Sequence, residues 1–229
     1  QIAGIRGQAF RPRLAALLGT SFRVGQRVEI IGQRSGDVGY TYDLGGNSMT
    51  QLLALLPDGS VGCGWVFAAG LDPIVAWRIT IYNDVGGAVV IEAEEECLAG
   101  EAVVCPALDI PHAMGLNESW LDPSPVRRTL AAQIDRVPRT PYRSMTIQPI
   151  RGTKAEARGA ALVDGMDFQR LLALFARDPY TLCVPYSDTP AEIQSSMIFG
   201  VVSGLGIDGL PGRWTRMEKL TLAEVPAAA

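Results

Sequence analysis

At 229 residues, 48% of them apolar and with a net charge of −4, the chain can build one large core or two ordinary ones and is no disordered polyelectrolyte. No apolar run reaches the roughly 20 residues of a membrane span: the longest, Gln51 to Leu71, is broken by Pro57-Asp58-Gly59. The overall acidity argues against nucleic acid, so neither a membrane nor a nucleic-acid partner is expected.

The first apolar cluster, Leu14 to Leu18, is too short for a secretory h-region, so no targeting signal is expected; its Leu and Ala content makes it a weak helix candidate. Strands are expected at Arg27–Ile31 and Val61–Phe67. In the next segment Trp77, Ile79 and Ile81 alternate with Arg78, Thr80 and Tyr82, and Asn83-Asp84 then starts a turn towards Gly86-Gly87. Ala88–Ala93 and Ala102–Leu108 continue the series. Pro106, Pro111, Pro123 and Pro125 then crowd together, which suggests a joint between a domain of residues 1–114 and one of residues 115–229.

Beyond the joint, Met145 and Ile147 alternate with Ser144, Thr146 and Gln148 in a strand over Arg143–Ile150. Lys154 to Ala161 could form a short helical turn. The stripe Phe168, Leu171, Leu172 and Phe175 has i, i+3, i+4, i+7 spacing and predicts a helix over residues 165–177, capped by Asp164 and ended by Asp178-Pro179. Tyr180–Val184, Met197–Ser203 and Glu218–Val225 close the chain as strands. Short strands punctuated by Gly and Pro point to a mainly β fold of two β-sandwich-like domains, the C-terminal one carrying the helix.

Charge is segregated. Residues 1–40 hold six Arg against two acids, residues 41–125 twelve acids against Arg78, and residues 126–158 eight bases against Asp135 and Glu156. Blocks of opposite sign can complement one another within a chain or between copies of it.

Groups that would carry catalysis are sparse. His112 is the single histidine, so it excludes a multi-histidine metal site, and with Cys105 and Asp109 it forms a triad only on paper. Cys63, Cys97, Cys105 and Cys183 lack the close pairs of a zinc site and read as free thiols. The string Gly204 to Gly209 matches G-x-G-x-x-G, but Leu210-Pro211-Gly212 follows where a dinucleotide site needs a helix, so a hairpin turn is expected. Glu94-Glu95-Glu96 alternate sides on a strand and cannot converge on one cation. No catalytic residue, metal or cofactor is therefore expected. Trp65 and Trp77 lie in apolar strands and read as core. Trp120, at the proposed joint, reads as an anchor between domains or subunits.

Ser119-Trp120-Leu121-Asp122-Pro123, then Arg127-Arg128, Asp135-Arg136-Val137 and the strand from Arg143 to Ile150, resemble the joint of minor tail proteins of actinobacterial siphophages. The likeness spans residues 115–225 and extends to distal tail proteins, which form rings between tail tube and tip. The polar stretch Tyr186 to Ser196 departs from the tight loop of that pattern. The resemblance implies a structural protein of the virion tail, made in the bacterial cytoplasm. Its partners would be copies of itself in a ring and other tail proteins of the tube and tip. The expected contact residues are Trp120, Leu121, Arg127, Arg128, Arg136, Arg139 and Arg143. The alternative is a carbohydrate- or receptor-binding β-sandwich of the tail tip, with an exposed tryptophan as the sugar platform.

Overall fold

Leu14–Thr20 forms strand β1, not a helical turn. The computed structural model describes residues 9–45, 50–85, 88–89, 100–107, 116–128, 134–136, 139–147, 151–153, 168–177, 180–186, 188–203, 207–209, 214–217 and 220–225. β1 is hydrogen-bonded on one side to β5 (Val61–Val66) and on the other to β9 (Glu101–Cys105), with β4 (Ala54–Leu55) beyond β5. Ala15, Ala16 and Leu17 are buried in succession. An apolar run without alternation suits a strand covered on both faces, and five residues are too few to nucleate a helix alone. Tertiary cover therefore overrides helix propensity here.

The two faces of β1 serve different cores. Ala15 and Leu17 join Val28, Ile30, Cys63, Trp65, Phe67 and Ile74 in a cluster shared with a second sheet, ordered β3 (Thr50–Leu52), β2 (Arg27–Arg34), β6 (Ile74–Ile81). Trp77, Ile79 and Ile81 pack against this cluster, as their alternation predicts, with Ile79 opposite Ile30 and Ile81 opposite Val28. Ala16 and Leu18 face the other way, onto Leu56, Leu182 and Met197. Residues from both sides of the proposed joint thus share that second cluster.

Leu182 and Met197 belong to the largest sheet, five antiparallel strands ordered β10 (Leu116–Leu121), β13 (Tyr142–Ile147), β19 (Leu220–Glu224), β16 (Ile198–Ser203), β15 (Tyr180–Cys183), Met197 lying just before β16. Its further face buries Met145, Ile198 and Leu222, with Leu116, Ile147, Cys183 and Val202 packed around them. Two two-stranded pairs, β7 (Asp84–Val85) with β8 (Ala88–Val89) and β11 (Val126–Arg128) with β12 (Ile134–Arg136), and a three-stranded sheet ordered β14 (Arg151–Thr153), β18 (Trp214–Met217), β17 (Ile207–Gly209) complete the strands.

Two helices appear among the described residues. α1 covers Phe168–Arg177, inside the predicted span; Leu172, Leu174 and Phe175 are half-buried, and no described side chain of α1 joins the three buried clusters. α2, Pro190–Ser196, lies in the stretch read from sequence as a long polar loop. Thr189 accepts a hydrogen bond from the Glu192 N–H while the Glu192 carboxylate accepts one from the Thr189 N–H, a reciprocal capping box, and Pro190 takes the first turn. α2 lies on β5, where Gly64 leaves room: a Cβ on Gly64 would come within 2.6 Å of Met197 Sδ and 3.1 Å of Ile193 Cγ2.

Candidate assembly surface

β10 is the end strand of the five-stranded sheet, bonded to β13 along an unbroken register from Leu116 opposite Ile147 to Leu121 opposite Tyr142. Among the described residues no strand covers its other side. Such an edge offers backbone N–H and C=O groups at strand spacing, and proteins commonly guard it with lysine, proline, a bulge or extreme shortness. β10 is six residues long and has none of these guards; its one charged residue is Glu118, which stands by Arg143.

Five of its six residues are exposed, Trp120 at 53% and Leu121 at 41%. Val126, at the start of β11, is 61% exposed and adds a third apolar side chain close by in the chain. Alternation assigns the faces: Leu116, Glu118 and Trp120 share the side of Arg143, Met145 and Ile147, while Asn117, Ser119 and Leu121 lie with Tyr142, Ser144 and Thr146.

Arg143 departs from the expectation that it belongs to a contact surface. It is only 2% exposed, because it alternates in register with Met145 and is carried into the interior. A buried guanidinium requires partners for its donors. Arg143 Nε and Nη2 donate to Glu224 Oε1 at 2.9 and 2.7 Å, and the Arg143 backbone N–H donates to Glu224 Oε2 at 3.0 Å. Nη2 also donates to the Met197 carbonyl at 2.5 Å and Nη1 to the Ser195 carbonyl at 3.4 Å, while Glu118 Oε1 stands 3.6 Å from Nη1. This one side chain ties β10, β13, β19 and the end of α2 together. Glu224 and Glu118 were not singled out in the sequence; the one charged residue in the closing strand Leu220–Glu224 is the signal that marks a buried partner.

The other expected contact residues separate as follows. Trp120 and Leu121 are exposed on β10, and Arg139 is exposed just before β13, its N–H donating to Ser124 Oγ at 2.9 Å. Arg127 and Arg128 lie in β11 and Arg136 in β12, with Arg127 opposite Asp135 and Val126 opposite Arg136. Part of the basic charge elsewhere is used within the chain. Arg34 pairs with Asp37 at 3.1 Å and Asp72 at 3.0 Å, Arg27 stacks 3.8 Å over the Tyr82 ring, and Arg78 sits 5.3 Å over that of Tyr40.

His112, Cys97, Glu94-Glu95-Glu96, Val90 to Ala93 and Lys154 to Ala161 lie outside the described residues. Burial pushes the Cys105 thiol up to about 12, that of Cys183 up to about 11, and that of Cys63 higher still, so all three stay protonated and poorly nucleophilic at neutral pH. In the glycine string, Ile207–Gly209 is strand β17 and pairs with strand β18, so the strand-to-helix turn of a dinucleotide site is not formed. Among the described residues no helix is long and apolar enough to cross a membrane. No protein-family model, curated protein or solved structure matches the chain.

Proposed function

We propose that the chain is a non-catalytic building block of a bacteriophage tail, a ring or tip component that acts by subunit assembly. Its plan would be two β-sandwich-like units dividing near residue 114, with other tail proteins and further copies as partners. One observation carries the reading. A regular strand at the described edge of its sheet presents Trp120 and Leu121 to solvent, and the chain invests a buried Arg143–Glu224 pair beside that edge. Half-exposed aromatic and leucine side chains beside backbone groups that no described strand bonds are suited to burial in a contact between proteins.

The basic block after Trp120, of which Arg139 is exposed, supplies the steering charge, and the acids of residues 41–125 supply its complement. The test is solution mass by light scattering, together with negative-stain images of the purified chain. Closed rings or defined oligomers are expected, and Arg127→Glu with Arg128→Glu should disperse them while circular dichroism is unchanged. A chain that stays monomeric and binds a glycan array through Trp120 would favour the tail-tip receptor reading, for which the exposed indole is the supporting observation.

A further inference from the structure

Resting on that reading, we infer that the occupant of the β10 edge is β10 of a second copy, added antiparallel across a two-fold axis, so that two five-stranded sheets become one. The chemistry of the edge specifies a strand, because only an extended backbone satisfies donors and acceptors at this spacing. Three observations favour a second copy.

The first is charge. Glu118 is the one ionisable residue of β10, and the guanidinium of Arg143 stands 3.6 Å from it in its own chain. The inward acid that would otherwise repel an identical edge is therefore partly compensated. Arg139 is exposed near the C-terminal end of the edge, held to Ser124, while the Asp122 carboxylate there accepts from the Ser124 N–H at 2.9 Å. Antiparallel pairing sets this end, which carries both Asp122 and Arg139, beside the N-terminal half of the other copy, so no net charge opposes the contact.

The second is register. A two-fold perpendicular to the sheet keeps each face continuous, so residues of like parity must meet. With Ser119 on the axis, Glu118 lies opposite Trp120 of the second copy and Asn117 opposite Leu121. Glu118 then has no acid directly opposite it, its counterpart in the second copy being a diagonal neighbour that Arg143 partly compensates, and each exposed indole gains a neighbour. The third is the contrast with β15, the other end of the sheet. β15 has four residues, and its Leu182 is already buried against the face of β1 that carries Ala16 and Leu18. Every neighbouring pair in the sheet is antiparallel, so β10 and β15 point the same way. A head-to-tail contact between them about an axis along the strands would be parallel, the less stable pairing.

The experiment uses the full chain. Ser119→Lys places two ammonium groups on the axis and should convert the assembly to monomers with unchanged circular dichroism, whereas Ser119→Thr should retain it. Paired residues across antiparallel strands have Cα atoms about 4.5–5.5 Å apart, within the roughly 4.4–6.8 Å that a disulfide spans. Ser119→Cys should therefore give a covalent dimer on mild oxidation, which neither the natural chain nor Leu121→Cys gives. Rings that persist in Ser119→Lys overturn the edge pairing and leave the assembly reading standing. A natural chain that stops at dimers, lost in Ser119→Lys, upholds the pairing and removes the ring. A natural chain that is monomeric across a concentration series overturns both.

Discussion

β1 and β10 are strands of similar length, seven and six residues, and their fates are opposite. β1 has a bonded neighbour on each side and a core against each face; β10 has one described neighbour and five exposed residues. Composition accounts for much of the contrast. Ala15-Ala16-Leu17-Leu18 contains no group that needs water, whereas Asn117-Glu118-Ser119 interrupts β10 with polar side chains and leaves Trp120 and Leu121 beyond them. The lesson is that burial of a strand follows from apolar residues on successive positions. An isolated aromatic after a polar triplet marks a surface instead.

Substitutions can break or sharpen this contrast. The largest losses are expected in the closed cores. Trp65→Ala should cost about 3–5 kcal/mol in denaturant unfolding. Arg143→Ala should cost a similar amount, about 3–5 kcal/mol, because it strands the buried Glu224. Arg139→Ala, on the exposed segment, should stay within about 0.5 kcal/mol of the natural chain. Equal effects at residues 139 and 143 would mean that Arg143 is not the interior tie described above.

Next in size is Gly64→Ala. The new methyl meets Met197 and Ile193, so these side chains must repack between α2 and β5, at a cost of about 1–3 kcal/mol, and a calorimetric melt reads it. Thr189→Ala removes half of the capping box and should cost about 1 kcal/mol, read as a lower melting temperature. Smallest for stability is Trp120→Ala, within about 0.5 kcal/mol for the isolated chain. Its effect should fall on light-scattering mass, where the assembled fraction drops. If Trp120→Ala instead destabilises the monomer as much as Trp65→Ala does, the indole is part of a core and the edge is not a contact surface.

Strand alternation made much of this legible. Trp77, Ile79 and Ile81 face the core as their period of two requires, and β2, β5, β13, β15, β16 and β19 all overlap predicted strands. The helix over Phe168–Arg177 was marked by its apolar stripe. α2 was also written in the sequence, as Thr189-Pro190-Ala191-Glu192, but a helix of seven residues carries too little periodicity to stand out from a polar loop.

What the sequence determined alone is local: which residues alternate, where turns and caps fall, and that the chain is mainly β. Tertiary structure decided the rest, because burial depends on partners far away in the chain. The run Leu14–Leu18 suits a helix or a strand until β5 and β9 bond to both of its sides. Arg143 looks like its basic neighbours until register with Met145 carries it inside, where Glu224, 81 residues away, can hold its charge. Trp120 reads as an anchor from its neighbours in the chain, but its exposure is decided by the strand order, which leaves β10 at the end of its sheet.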